Sequence, residues 1–128
     1  MEETKKIESF YDLNAWKESH KLAIMIYKIT KQFPRDEIFG LTSQIRRATV
    51  SISSNIAEGF SRNSHKEKLN FYSIALGSLT ETQNQLLISR DVSYIGSNIF
   101  KNIWDQTIIV SKLCNGLIKK MRSFNHNT

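Results

Sequence analysis

One proline, Pro34, and five glycines are the only strong helix breakers in 128 residues. A chain so sparsely interrupted favours a few long helices over many short strands, because strands need turn residues every eight to twelve positions or so. The length fits one domain and is sufficient for a core without disulfides or metals. The composition, 40% hydrophobic and 23% charged, is ordinary for a globular chain.

The apolar pattern resolves four segments. The first helix is expected from Asp12, as N-cap, to Gln32, about 12–32. Trp16, Ala23, Tyr27 and Thr30 line one edge of its apolar face, and Leu22, Ile26, Ile29 and Phe33 line the next. Pro34 stops it, since the residue before a proline is pushed out of the α region. A turn over Arg35 to Gly40 leads to a second helix at 41–58, with Leu41, Ile45, Ala48, Ile52 and Ile56 inward and Gly59 as its C′ residue. Ser64 and Glu67 have capping-box spacing and start the third helix, 65–90, with Leu69, Tyr72, Leu76, Leu79 and Leu86 inward. Ala75, Gly77 and Ser78 form a small-residue patch in that helix, expected to admit a close neighbour, so that Gly77→Leu would overpack. The fourth helix spans 97–122, with Ile99, Ile103, Val110, Leu113, Leu117 and Met121 inward. Its sevenfold spacings, Ile103-Val110-Leu117 and Thr107-Cys114-Met121, make a bundle-like seam. The predicted fold is therefore an all-α, antiparallel up-down-up-down four-helix bundle over residues 10–122, with an N-terminal arm (1–9) and a frayed tail (123–128).

The second helix carries more than packing demands. Gln44, Arg47, Ser51, Asn55 and Glu58 form a polar stripe beside the apolar one. They would either bond to neighbouring helices and fix register, since buried polar groups need partners, or form a ligand site with Arg46 or Arg47 beside Asn55. Glu58 and Glu81 are placed where they could meet across the second and third helices.

Eighteen Lys and Arg against twelve Asp and Glu leave a net charge of +6. Such a chain attracts polyanions. Lys17, Lys21 and Lys28, with Lys31 and Arg35 close by, follow one side of the first helix. Lys119, Lys120 and Arg122 cluster near the end of the fourth, and the antiparallel order brings them towards Arg62, Lys66 and Lys68. These cations are candidates for contact with a phosphate backbone, unless they form only a solvated face.

Catalytic patterns are missing. His20, His65 and His126 sit in no nucleophile motif, and no glycine-rich phosphate loop occurs. The Glu-x-x-His pairs of a di-iron bundle and Cys/His zinc spacing are absent as well. The lone Cys114 reads as a small core residue. Hence no catalytic residue, metal or cofactor is expected. No apolar run approaches the roughly 18 residues of a membrane span and no secretory signal is visible, so the expected location is the cytoplasm.

Several stretches resemble the 23S rRNA intervening-sequence protein family of four-helix-bundle proteins. They are Phe10-Tyr11-Asp12-Leu13, Trp16, Phe33-Pro34-Arg35-Asp36-Glu37, the run from Gly40 to Ala48, the run from Ser51 to Gly59, and Ala75-Leu76-Gly77-Ser78-Leu79 with Glu81. The resemblance extends over about Phe10 to Leu117. It implies a four-helix bundle, self-assembly into pentameric rings, and similarity to the accessory variability determinant proteins of diversity-generating retroelements, which engage a reverse transcriptase and nucleic acid. It marks Arg47, Ser51, Asn55, Glu58, Gly59 and Glu81 as signature positions. Ser53 and Gln83 depart from the pattern, where many members carry a proline and an acid. A non-enzymatic, homo-oligomeric adaptor that binds RNA or DNA is the expectation, with a protein–protein scaffold as the alternative.

Overall fold

The computed structural model describes residues 6–126. Four helices account for most of it: α1 (Asn14–Thr30), α2 (Leu41–Ser61), α3 (His65–Asp91) and α4 (Ser97–His126). Short 3-10 turns at Phe10–Asp12 and Arg35–Glu37 precede α1 and α2. Helices adjacent in sequence pack side by side, and α1 closes the ring against α4. Among the described residues α1 does not pack on α3, nor α2 on α4. This is the expected up-down-up-down bundle. Its lower end gathers the starts of α1 and α3 with the finishes of α2 and α4.

The core is one continuous cluster. Leu22, Ile26, Ile45, Ile52, Ile56, Leu79, Leu86, Val110 and Cys114 are almost wholly excluded from solvent. Burial pushes the Cys114 thiol up to about 11, so it is a protonated packing group at neutral pH. The buried hydroxyls bond within their own helices. Thr30 donates to the Ile26 carbonyl, Thr49 to Ile45, Thr82 to Ser78 and Ser89 to Gln85. Thr30 also accepts from Arg46 of α2, and buried Thr107 accepts from Gln83 across α3 and α4.

Several local expectations need correction. Asp12 does not cap α1; its carboxylate accepts the N–H groups of Glu8 and Ser9 and closes the 3-10 turn, while Leu13 takes the cap position. Gly59 does not lie beyond α2; the helix runs on to Ser61, and Gly59 is buried inside it. A Cβ there would meet Tyr72 Cε1 at 2.8 Å and Phe71 Cβ at 3.0 Å, so this glycine sets the close approach of α2 to α3. Gly77 plays no such part. It lies two residues after buried Ala75, about 200° around the helix, and is exposed with open space where a Cβ would go. Tyr27 and Ile99 are 41% and 44% exposed. In α4, Ile118 is buried while Leu117 is only half-buried. The Ser64 hydroxyl does cap α3, accepting the Glu67 N–H at 3.1 Å. Helix α4 continues past Arg122 through His126, and residues 1–5 of the expected arm and 127–128 of the expected tail lie outside the described residues.

Candidate nucleic-acid interface

The lower end of the bundle collects the cations of two helices. From Gln106 to Thr128 the sequence has four Lys or Arg residues, Lys112, Lys119, Lys120 and Arg122, and no Asp or Glu. Antiparallel packing lays the end of α4 against the start of α3, where the His65 and Phe124 rings stack at 4.1 Å with an 8° interplanar angle. Lys66, Lys112, Lys119, Lys120 and Arg122 are all exposed, and none pairs with a carboxylate of the described residues. Their ammonium and guanidinium groups are therefore free to meet an external anion.

Two other cations at this end are engaged. Lys68 donates to the carbonyls of Phe60 and Gly59, capping the finish of α2, and its partial burial lowers its pKa. Arg62 pairs with Glu58 and lies 4.7 Å over the Phe71 ring. An open cleft of about 600 Å³ runs beside it, lined by Arg62, Lys66, Glu67, Asn70 and Phe71.

The structure divides the remaining candidates. Lys17, Lys21, Lys28 and Lys31 are exposed along α1. Lys17 shares a groove with Lys112 and Ile109, midway along α4. Lys28, Lys31 and Arg35 sit towards the upper end, about 20 Å or more from the basic end at 1.5 Å per residue. They do not join Lys119, Lys120 and Arg122 in one surface.

The polar stripe of α2 is likewise taken apart. The Ser51 and Ser78 hydroxyls meet at 2.8 Å between α2 and α3, and the Asn55 amide donates to the Ser51 carbonyl and hydroxyl. Asn55 is half-buried and acts through Ser51 rather than across the helix pair. Arg46 turns to α1, donating from Nε to Thr30 Oγ1 at 2.8 Å and lying 4.7 Å over the Tyr27 ring. No joint site of Arg46 with Asn55 exists. Glu58 and Glu81 do not meet. Ser51 opposite Ser78 fixes the register, which puts Glu81 beside Arg47 in a groove under Phe39, whereas Glu58 lies nearly three turns below with Arg62. Among the described residues no group of three or more His, Cys, Asp or Glu could hold a metal ion. None of the described helices is long and apolar enough to cross a membrane.

Sequence reasoning missed three features. Phe39, at 94% exposure, projects from the turn before α2. Nothing in its spacing separates it from the core phenylalanines. The capping role of Lys68 depends on where α2 finishes, which Gly59 obscured. The His65–Phe124 stack was within reach, because antiparallel α3 and α4 bring residues summing to about 189 opposite one another, as with Gln83 and Thr107.

The chain is similar to a crystal structure of a protein of unknown function from the S23 ribosomal protein family of Bacteroides thetaiotaomicron VPI-5482. The two share 26% sequence identity and a TM-score of 0.76, over 82% of this chain and 95% of that one. No functionally curated protein matches. The family described as 23S rRNA-intervening sequence protein matches over residues 11–116, which takes in all of α1 to α3 and most of α4. The chain belongs to the 23S rRNA-intervening sequence protein family.

Proposed function

We propose that this protein is a non-enzymatic, self-assembling helical-bundle adaptor that engages the phosphate backbone of RNA or DNA in the cytoplasm. The observation that carries the reading is the free cations at the lower end, where the last turns of α4 contribute Lys119, Lys120 and Arg122 and no Asp or Glu follows Asp105 in the sequence. A phosphate backbone is a polyanion that such an array can neutralise, and contacts to it carry little sequence information. The test is fluorescence anisotropy with a structured RNA, a DNA duplex and a non-nucleic polyanion over a range of salt. Affinity is expected to fall linearly on a log–log plot with salt, and at about 0.15 M to remain higher for nucleic acid than for the other polyanion. Equal binding of all three, or none at that ionic strength, would leave the charge as a solubility feature.

Self-assembly, in rings of five as the family resemblance implies, is supported by the outer face of α2 and α3. Ile74 and Ile88 are 45% and 42% exposed there, in register with Glu81 at intervals of seven, and Phe39 stands beside Arg47. Gly77 lies in the same stripe with nothing within 4 Å. Gly77→Leu is therefore expected to leave the subunit's fold intact and to abolish association, read as a shift to monomer in sedimentation. The specific observation favouring a protein–protein scaffold instead is Phe39, too exposed to serve the subunit's own core. A Phe39→Ser variant that loses assembly but keeps nucleic-acid affinity would separate the two roles.

A further inference from the structure

The lower end holds aromatic rings as well as cations, and this combination discriminates among nucleic acids. Phe124 is 42% exposed and stacked face to face on exposed His65. One helical turn or more away along α3, the half-buried Phe71 lies under the Arg62 guanidinium and forms the floor of the 600 Å³ cleft. Asn70 and Glu67 stand at that cleft with amide and carboxylate groups. Arg62 Nε is buried and without a hydrogen-bond partner. A lysine-rich surface for a duplex needs none of this, because paired bases are already stacked on each other and present only edges in the grooves. Unpaired bases offer open faces to rings and free edges to polar groups.

We propose that this end of the bundle takes a single-stranded segment of RNA or DNA. One base stacks on the His65–Phe124 pair and a neighbouring base enters the cleft beside Arg62 and Phe71, while the phosphates pass Lys66, Lys119, Lys120 and Arg122. Glu67, which would repel a phosphate, is suited to accept from the exocyclic amino group of cytosine or adenine in the cleft. The inference rests on the nucleic-acid reading above and adds to it the strandedness of the partner.

The experiment compares labelled oligocytidylate, oligodeoxycytidylate, an RNA hairpin of equal length and heparin at about 0.15 M salt. The protein is used as wild type, as His65→Ala/Phe124→Ala, and as Phe124→Trp. Single strands are expected to bind about tenfold more tightly than the hairpin, and the double variant to lose that advantage while hairpin affinity, heparin affinity and salt slope stay unchanged. Phe124→Trp should restore the preference, which a purely structural role for the ring would not require. Circular dichroism confirms that each variant is folded. Equal affinity for single strand and hairpin, or equal losses on every polyanion, overturns the inference while leaving nucleic-acid binding standing. Failure of all nucleic acids to exceed heparin overturns both. The two oligomers tell RNA from DNA.

Discussion

Reversing Lys119, Lys120 and Arg122 to glutamate is expected to weaken nucleic-acid binding about a hundredfold at physiological salt and to flatten the salt dependence by about three units of slope. Each cation that neutralises a phosphate releases a counterion, so three lost contacts remove close to three such terms from the log–log slope. These residues are good subjects because they are exposed and pair with no carboxylate of the described residues, so their removal strands no buried partner. Some loss of stability is anticipated, because negative charge near a helix C-terminus opposes the dipole by about 0.3–1 kcal/mol per residue at low salt. The matched control reverses Lys28, Lys31 and Arg35 at the upper end. It alters net charge by the same amount, and its effect should be several-fold smaller if the interface is local. Equal losses from the two triple variants would mean that only net charge matters.

Gly59→Val is expected to lower stability by about 3 kcal/mol, the upper part of the overpacking range. That corresponds to a fall of roughly 10 °C in melting temperature for a chain of this size. The added Cβ would stand 2.8 Å from one ring carbon of Tyr72 and 3.0 Å from another, with Phe71 Cβ also at 3.0 Å. Tyr72 is only 2% exposed and cannot swing away into solvent. Relief must come from moving α3, which also carries Leu79 and Leu86 into the core. Replacing glycine inside a helix would by itself gain up to about 1 kcal/mol of propensity, less for a β-branched residue, so steric conflict decides the sign. Gly116→Ala, where a Cβ meets nothing within 4 Å, is the contrasting case and should be neutral or stabilising. Thermal melts of both variants check the pair.

The contrast between Gly59 and Gly77 shows where sequence reading reaches its limit. Periodicity placed four helices and most core residues, because burial of Leu22, Ile26, Ile45, Ile52, Ile56 and Leu79 is what generates the period. The two glycines differ in phase, since Gly59 continues the Ile45-Ile52 stripe at an interval of seven while Gly77 falls about 200° from buried Ala75, but a helix stop placed at Gly59 takes it out of that stripe. Glycine so often occupies C′ that Gly59 reads as a helix stop, yet packing against Tyr72 holds it inside the helix. Asp12 failed as a cap for a related reason: a 3-10 turn recruited its carboxylate first. For the candidate interface, the α4 cluster was legible from charge and antiparallel order alone. The α1 lysines were grouped with it because a stripe on one helix gives a side but no height along the bundle. Lys68 and Arg62 looked equivalent to Lys66 in sequence, and only the carbonyls at the finish of α2 and the carboxylate of Glu58 distinguish them.

The self-contained hydroxyls of the core have a consequence for how this fold tolerates change. Thr49, Thr82 and Ser89 each close a bond on their own helix, so replacing one removes nothing from the hydrogen bonding of a facing helix. Double-mutant cycles between such positions on different helices should give coupling energies near zero, unlike Thr30 with Arg46, where a real cross-helix bond exists. Thr49, Thr82 and Ser89 can therefore be altered one site at a time, without compensating changes elsewhere, whereas Thr107 with Gln83 and Thr30 with Arg46 must change as pairs. Drift of that kind keeps an architecture intact while erasing its sequence, as between two chains with a TM-score of 0.76 at 26% identity.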